Sequence, residues 1–377
     1  MIRTINIKNF KSIKDYTFDL QNLNVLMGIN GMGKSTFIQS LLMLKQSERL
    51  QYGEIQLNGY YVNIGNTKDA LYQYSKQESL SINLAFTDGV TQDIKTNYLV
   101  EADLFTVSNP NYSDGFLQET LFTNNFQYLN ANRLPPTSVH SKSYSSVVTN
   151  NNVGNAGEFT THFIEVHGND EIVFSNLLHK DSKSIDPVTN KELINQTLIN
   201  QINLWMGEIS PGINIRTTSI PNSDYVLLEY VYKQPNFGNT NRFKPNNVGF
   251  GISYVLPVVT AILSAKPGEL IIIENPESHI HPRGQAELGK LISLAALNDI
   301  QIILETHSDH ILNGIRVAVK DNNELTKKTA LFYFERVVAE SEQYSKITPI
   351  KIDIAGELSE YPENLIDEWG NQLLKLF

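Results

Sequence analysis

The pattern of apolar and polar positions in the first fifty residues predicts strands followed by a helix. Ile5, Ile7 and Phe10 alternate with polar residues, which is typical of a β-strand with one buried face. A short apolar run at 23–27 leads directly into glycines, as expected of a buried strand that feeds a loop. Over 34–49 the apolar residues fall roughly on one face of a helix.

The rest of the chain is mainly strand-like at first and then alternates between strands and helices. Residues 53–133 are mostly strand-like, whereas 137–158 is rich in serine and asparagine and indicates a mobile loop. The later predicted elements are, in chain order, a helix near 190–207, strands at 213–218 and 225–232, a helix at 251–265, a strand at 269–274, a helix near 282–297, a strand at 300–305, a helix near 308–320 and a strand at 330–336. This rhythm predicts an α/β fold with a largely parallel sheet.

Composition and charge limit the possible classes of function. The 377 residues suffice for one large domain or two ordinary ones, without any cysteine and without an apolar stretch long enough to span a membrane. We therefore expect a soluble, cytoplasmic protein with no membrane association. The formal net charge of −10, from 30 basic and 40 acidic residues, disfavours DNA binding over the whole surface, although a local basic groove stays open.

Residues 28–35 match the phosphate-binding pattern G-x-x-x-x-G-K-[ST] at every fixed position. The glycines allow backbone N–H groups to turn towards phosphate oxygens, and the following helix points its positive end at the same oxygens. Lys34 is expected to reach the β- and γ-phosphates, and the Ser35 hydroxyl to bind Mg²⁺. We predict that ATP and Mg²⁺ are bound by Asn30, Gly31, Met32, Gly33, Lys34, Ser35 and Thr36.

Two later buried strands end in polar residues suited to nucleotide chemistry. The run at 270–273 ends at Glu274 and continues with Asn275, Pro276 and Glu277. A carboxylate at such a strand end is typical of a Walker B element, whose acid lies near Mg²⁺. The run at 301–304 leads in the same way to a histidine, which is followed by a serine.

These motifs together resemble bacterial P-loop ATPases of the ABC type, in the SMC/RecF/OLD group of AAA-family proteins. The opening residues 7–13 also look like the first strand of that group. The resemblance implies that Glu274 is the Walker B acid and a ligand of Mg²⁺. It also implies that His307 is the switch histidine on the γ-phosphate and that 278–282 form the D-loop.

One position departs from the pattern of many relatives. They carry a water-activating glutamate directly after the Walker B acid, whereas this chain has Asn275. An amide cannot accept a proton at neutral pH, and general-base catalysis contributes roughly 10²–10⁴ in rate, so hydrolysis could be slow. Glu277 could act instead, and Glu-Asn-Pro-Glu is common in the bacterial subgroup that this chain resembles.

Residues 247–257 precede the Walker B run at the spacing of the ABC signature. They do not read Leu-Ser-Gly-Gly-Gln, but Gly249, Gly251 and Ser253 lie at a predicted helix start and offer equivalent donors. In ABC proteins these donors grip the γ-phosphate bound to the opposite protomer. The resemblance therefore implies a head-to-tail homodimer with ATP at the interface, and a plain turn before a helix is the alternative.

Two further residue sets leave alternatives open. A cluster with metal-ligand spacings would suit a metal-dependent nuclease, and it consists of His279, His281, His307, Asp309 and His310.

Arg133 ends a strand-like run and could lie near the nucleotide in place of a Q-loop. A surface or salt-bridged arginine is an equal alternative at that position.

The predicted fold is an α/β ABC-ATPase-like P-loop NTPase head with an antiparallel β-subdomain and an inserted helical and loop region. The expected parts are 1–50 with the phosphate loop, 51–136 as the β-rich part of the head, 137–245 as an insertion with a mobile loop, a helical arm and strands, and 246–377 with signature, Walker B, switch histidine and C-terminal cap. The cap, 352–367, is similar to the one that ends the same bacterial subgroup.

The resemblance implies an ATP-driven switch. ATP would close the homodimer, and the closed dimer would control a partner effector such as a nuclease, as in two-component antiphage defence systems of the Septu type. Nucleic acid would then be reached through the complex. The alternative is a DNA-repair ATPase of the RecF type that binds DNA directly, against which the acidic net charge argues.

Overall fold

The structure of the protein, a computed structural model, describes residues 1–185, 190–234, 238–363, 365, 373, 375 and 376. Its strands are β1 Ile2–Phe10, β2 Ile13–Asp19, β3 Leu23–Gly28, β4 Glu54–Gln56, β5 Ser81–Phe86, β6 Thr91–Asn97, β7 Leu104–Val107, β8 Phe126–Leu129, β9 Val139–Ser141, β10 Lys183–Ile185, β11 Glu192–Ile194, β12 Ile213–Ser219, β13 Tyr225–Gln234, β14 Gly238–Asn239, β15 Glu269–Glu274, β16 Ile300–Glu305, β17 Thr329–Val338 and β18 Gln343–Ile350. Its α-helices are α1 Lys34–Gln46, α2 Thr67–Ala70, α3 Thr160–His167, α4 Leu198–Ile209, α5 Phe250–Leu263, α6 Pro282–Ala295, α7 Asp309–Asp321 and α8 Leu325–Lys328.

The chain divides into two compact units, and the first consists of 1–123 together with 326–377. An antiparallel sheet in the order β2-β1-β5-β6-β7-β4 supplies the predicted β-subdomain. β6 alternates strictly between exposed and buried residues because one face of this sheet is covered. Beside it, β3 pairs in parallel with β17, and β17 pairs antiparallel with β18. The last apolar residues of β3 are buried and feed directly into the phosphate loop.

The second unit, 124–325, contains three parallel strands. β15 lies between β8 and β16, with Ile272 opposite both Tyr128 and Ile303. β15 and β16 are almost wholly buried, as their continuous apolar runs predict. Their carboxyl ends lie at the same edge of the sheet, because parallel strands run in one direction. This edge carries Glu274 and the segment that leads to His307.

Helices α6 and α7 of the second unit pack with their backbones almost in contact. A Cβ atom at Gly289 would lie 2.4 Å from the Ile311 carbonyl oxygen, and one at Gly314 would lie 2.1 Å from the Ala286 carbonyl oxygen. Any larger residue at either glycine would force the helices apart. This close packing fixes the two helices that follow β15 and β16.

The structure differs from the sequence-based expectations in the middle of the chain. The segment 137–158 contains β9 and one π-helical turn, Ser145–Thr149. Its serine and asparagine side chains hold the segment by hydrogen bonds, as where Asn152 Nδ2 donates to the Phe126 carbonyl at 3.1 Å. The helix expected near 190–207 begins only at Leu198, and β11 occupies 192–194 within the first part of that range.

Short α3 and β18 were not predicted from the sequence. Between 137 and 245, the described helices α3 and α4 have 8 and 12 residues, so the expected helical arm is short. No helix within the described ranges is both long and apolar enough to cross a membrane. Of the expected C-terminal cap, Asn364, Ile366 and Asp367 lie outside the described residues.

Candidate functional site

The phosphate loop of the first unit has the left-handed backbone that its glycines predict. Gly28, Gly31 and Gly33 have φ angles of +136°, +78° and +106°. A Cβ at Gly28 would lie 2.3 Å from the Phe334 carbonyl oxygen, whereas one at Gly31 would meet nothing within 4 Å. The loop is therefore packed on its inner side and open above Gly31, as a phosphate cradle requires.

Lys34 folds its ammonium group over this loop. Its Nζ donates hydrogen bonds to the carbonyl oxygens of Gly28 at 2.7 Å and Ile29 at 3.0 Å. The side chain is only 3% exposed, so the charge is held at the loop and not in solvent. Gly33 is the N-cap of α1, in the left-handed region and without a side-chain cap hydrogen bond, so the positive end of the helix lies at the loop. These features fit the phosphates of ATP.

The other predicted phosphate-loop residues differ in exposure. Asn30, Gly31 and Ser35 are exposed. The Met32 carbonyl accepts a hydrogen bond from Ser345 Oγ at 2.7 Å. Thr36 is buried, and its hydroxyl lies 3.3 Å from Ser12 Oγ, so it supports the loop from below and does not face solvent.

A cavity of about 220 Å³ lies next to the loop within the first unit. Its lining includes Lys11, Gly31, Tyr72, Tyr74 and Tyr344. Sequence reasoning missed these tyrosines and Ser345, because they come from chain segments far from the motif. Apart from Gly31 in the phosphate-binding motif, the lining residues Lys11 and Ser12 lie in the opening run 7–13, a segment that the sequence analysis had singled out.

In the second unit, the predicted Walker B acid is held by the neighbouring strand. Glu274 Oε1 accepts a hydrogen bond from the Tyr128 hydroxyl at 2.9 Å. Burial raises the pKa of Glu274, and hydrogen bonds from Tyr128 and the Ala131 N–H oppose that rise. Burial and the adjacent Glu274 carboxylate raise the pKa of Tyr128 strongly, so Tyr128 remains a donor. No motif in the chain indicated this pairing.

Arg133 is buried and braces the backbone after β15. It is 1% exposed, and it donates from Nη2 to the Glu274 carbonyl at 2.5 Å and from Nη1 to the Asn275 carbonyl at 3.2 Å. The alternative of a surface arginine is therefore wrong. Burial lowers the pKa of Arg133 to about 10, which still leaves it charged near neutral pH. The arginine fixes the turn that carries Asn275.

The turn explains the residue type at position 275. Asn275 has a φ of +44°, in the left-handed region that asparagine tolerates better than glutamate. Its N–H donates to the Glu305 carbonyl at 2.8 Å, which links the ends of β15 and β16. The amide oxygen Oδ1 is buried and has no hydrogen-bond partner in the described part of the chain.

Glu277 connects this turn with the segment after β16. Its Oε1 accepts a hydrogen bond from the His307 N–H at 2.8 Å, while His307 itself is exposed. Burial raises the pKa of Glu277, although the His307 N–H opposes the rise. Glu277 Oε2 and Asn275 Oδ1 are both buried acceptors that no donor of the described residues reaches. Buried acceptors without a partner are uncommon in folded proteins, so these two mark the loop after β15 as a candidate functional position.

The predicted signature residues have different environments within the second unit. Gly249 is the N-cap of α5, and a Cβ there would meet nothing within 4 Å. A Cβ at Gly251 would lie 2.2 Å from the His279 carbonyl oxygen, so this glycine is needed for packing. The Ser253 hydroxyl oxygen is buried, and a phosphate donor role would require it to become accessible.

The histidines do not assemble into a metal site. Among the described residues, no three His, Cys, Asp or Glu side chains are placed to hold a metal ion. His279 packs its ring against Phe250 and Tyr254, with centroid distances of 5.0 and 5.1 Å. His281 Nδ1 caps α6 by accepting the Arg283 N–H at 3.3 Å. The structure thus removes the geometric basis of the metal-nuclease alternative.

Comparison with known proteins gives two family matches. A model described as "AAA domain, putative AbiEii toxin, Type IV TA system" matches residues 23–313. A model described as "Protein of unknown function (DUF3696)" matches residues 326–376. No curated protein matches the sequence of the chain.

Solved structures show a similar fold. The SMC head bound to the C-winged helix domain of ScpA aligns with a TM-score of 0.55 and 12% identity, covering 94% of this chain and 98% of that chain. The SMC head domain from Thermotoga maritima aligns with a TM-score of 0.46 and 12% identity, covering 93% and 99%. The first similarity confirms the predicted fold class, an α/β P-loop NTPase head of the ABC-ATPase type.

Proposed function

Because the chain belongs to the family of AAA domains described as "AAA domain, putative AbiEii toxin, Type IV TA system", we propose that it is a nucleotide-driven switch that acts on a partner protein. The chain is an ATPase of the AAA/SMC-like type. The observation that carries the proposal is the phosphate loop, where Lys34 lies over left-handed glycines at the start of α1. In our proposal this loop binds the triphosphate of ATP.

ATP hydrolysis requires a water molecule that attacks the γ-phosphorus while the bond to the β–γ bridging oxygen breaks. We assign Glu277 as the base that accepts the proton of this water. Its buried Oε2 lacks a partner among the described residues, and its raised pKa increases its proton affinity. Asn275 Oδ1 would accept the second hydrogen of the same water. His307, joined to Glu277 through its N–H, is the proposed γ-phosphate sensor.

Mg²⁺ bound with ATP would neutralise charge on the β- and γ-phosphates. We assign Ser35 and Glu274 as its protein ligands on the motif resemblance. A hydroxyl and a carboxylate are the hard oxygen donors that Mg²⁺ prefers. Tyr128 and the Ala131 N–H orient the Glu274 carboxylate for this role.

We further propose that ATP closes a homodimer and that the closed dimer controls an effector, namely a nuclease of an antiphage system. The exposed aromatic residue Phe250 and the open Gly249 at the start of α5 support a protein contact there. The family description names a toxin, and the similar SMC head was solved with a domain of another protein bound. Nucleic acid would then be met by the complex.

ATP binding and turnover by the purified chain test the ATP site. We expect Lys34→Ala to weaken ATP binding about tenfold or more, because a charge-assisted hydrogen bond contributes roughly 1.5–3 kcal/mol. The exposed Lys68, on a short helix of the same unit, provides the control variant Lys68→Ala, which should bind as wild type does. Equal ATP affinity in the Lys34→Ala variant would refute the site.

Light scattering with and without ATP tests the dimer. A Glu277→Gln variant should bind ATP without turning it over, and its mass should double on ATP addition. Lys34→Ala should remain at the mass of the nucleotide-free protein. A constant mass in the ATP-loaded Glu277→Gln variant would rule out the proposed closure.

A further inference from the structure

Ser345 lies on β18, 313 positions after the phosphate-loop residue that it contacts. Its Oγ is 2.7 Å from the Met32 carbonyl oxygen and 2.8 Å from Ser12 Oγ. Its backbone N–H also donates to the Ser12 carbonyl at 2.8 Å. The side chain is almost fully buried, so these contacts are shielded from water.

The hydroxyl groups of this cluster form a chain of hydrogen-bonding contacts. The Ser345 hydroxyl is placed to donate to the Met32 carbonyl and to Ser12 Oγ, and its one proton can serve only one of them at a time. Ser12 Oγ in turn lies 3.3 Å from Thr36 Oγ1, and either hydroxyl can donate in that pair. We call the chain from Thr36 through Ser12 and Ser345 to the Met32 carbonyl the hydroxyl relay.

The hydroxyl relay packs directly against the phosphate loop at Gly33. A Cβ at Gly33 would lie 2.2 Å from Ser345 Oγ and 2.7 Å from Ser12 Oγ. The absence of a side chain at Gly33 is therefore what lets both hydroxyls reach the loop. The Met32 carbonyl and the Gly33 N–H belong to the same peptide unit. The hydrogen bond from Ser345 to that carbonyl therefore fixes the orientation of an N–H group in the phosphate loop.

The hairpin that carries Ser345 has a second anchor at its turn. Lys14 Nζ contacts both carboxylate oxygens of Glu342, at 2.7 and 2.8 Å, and the Tyr72 hydroxyl donates to Glu342 at 3.1 Å. The Lys14 pair is partly exposed and contributes little stability by itself. Together with the Tyr72 bond, however, it fixes the turn between β17 and β18 and thereby the position of Ser345.

We propose that Ser345 is a positioning residue for ATP, which holds the phosphate loop through the hydroxyl relay. The inference rests on the proposed ATP binding and extends it to the C-terminal hairpin. That hairpin falls in the segment matched by the model of unknown function. The proposed role of β17 and β18, the first part of this matched segment, is thus to complete a nucleotide site. The sequence motif of that site lies near the other end of the chain.

The variants Ser345→Ala, Ser12→Ala and the double variant test this role. Each single variant should raise the Kd and the KM for ATP about three- to tenfold, as expected for one net hydrogen bond, with kcat within twofold of wild type. The double variant should be no worse than either single variant, because one break already interrupts the relay. Independent contacts would instead multiply the two effects.

Thr348→Val is the matched control. This substitution also removes a hydroxyl from β18, but Thr348 is not part of the relay. It should leave the Kd, the KM and the melting temperature unchanged. If Ser345→Ala fails to fold, Ser12→Ala breaks the same relay and decides the question by its own ATP affinity. ATP affinity equal to wild type in both single variants would overturn the inference and leave ATP binding intact. No ATP affinity in wild type would refute the proposed function instead.

Discussion

At the scale of single residues, backbone conformation explains the departure from the common ATPase pattern. Asn275 adopts a left-handed φ of +44°, which costs a glutamate about 1–2 kcal/mol but suits asparagine. Arg133 holds this conformation by binding the carbonyls on both sides of the turn. Asn275 cannot act as a general base, and the next carboxylate along the loop is that of Glu277. We therefore assign the binding and deprotonation of the attacking water to two residues, Asn275 and Glu277.

Replacing Glu277 by glutamine should lower kcat by roughly 10²–10⁴, because the amide cannot accept the proton of the attacking water. Burial raises the pKa of Glu277 above its ordinary value, and a base works only when ionised. In wild type, kcat should therefore fall as the pH is lowered through this raised pKa, and the variant should lack that limb. ATP hydrolysis measured from about pH 5 to pH 8 gives both quantities.

A matched control for this substitution is Glu287→Gln on α6, where only a surface pair with Lys290 is lost. Its pH profile should match that of wild type. Wild-type turnover in the Glu277→Gln variant would show that another group accepts the proton.

At the scale of elements, sequence patterns predicted what is local and missed what is brought together by folding. The strand, loop and helix over 23–46 follow from a buried apolar run, a glycine pattern and a helical face, all within one stretch of chain. The hydrogen bond between Tyr128 and Glu274 joins two residues that are 146 positions apart in the sequence. The contact between Ser345 and Met32 spans 313 positions. No periodicity in one sequence encodes such pairs.

The glycines of the phosphate loop differ in how much space they leave, and their alanine variants should differ accordingly. Gly31→Ala should destabilise the fold by about 1–2 kcal/mol, since it adds only left-handed strain in open space. Gly33→Ala should cost a further 1–3 kcal/mol or so, because its Cβ would overlap the hydroxyls of Ser12 and Ser345. Urea unfolding without nucleotide measures both values. Equal losses in the two variants would contradict the packing around Gly33.

At the scale of the whole molecule, the order of elements was easier to predict than their grouping. The α/β rhythm and the ABC-type head are confirmed, since each rests on many residues with a consistent pattern. The grouping of 326–377 with 1–123 could not be predicted, because β17 pairs with β3 across the length of the chain. The burial of carboxyl groups such as Glu269, in the second unit, likewise results from tertiary packing that no local pattern encodes.

Buried Glu269 should make the stability of the molecule depend on pH. Burial raises its pKa from 4.5 to about 7, so the folded protein holds a proton that the unfolded chain releases. Its contribution is fully present below about pH 4.5 and is lost as the pH rises through about 7, a change of up to about 3 kcal/mol. The free energy of unfolding should therefore fall across this window.

Glu269→Gln should flatten this dependence, because the amide is neutral at every pH and can still accept the Lys266 N–H that now binds Oε2 at 2.9 Å. The variant should match wild type near the acidic end of the window and exceed it in stability above the neutral end. Unfolding by urea at several pH values, without nucleotide, measures the difference, and the exposed Glu48→Gln variant should follow wild type throughout. A parallel pH dependence in wild type and Glu269→Gln would mean that Glu269 is ionised in the folded protein, and that its carboxylate is better solvated than its burial at the start of β15 implies.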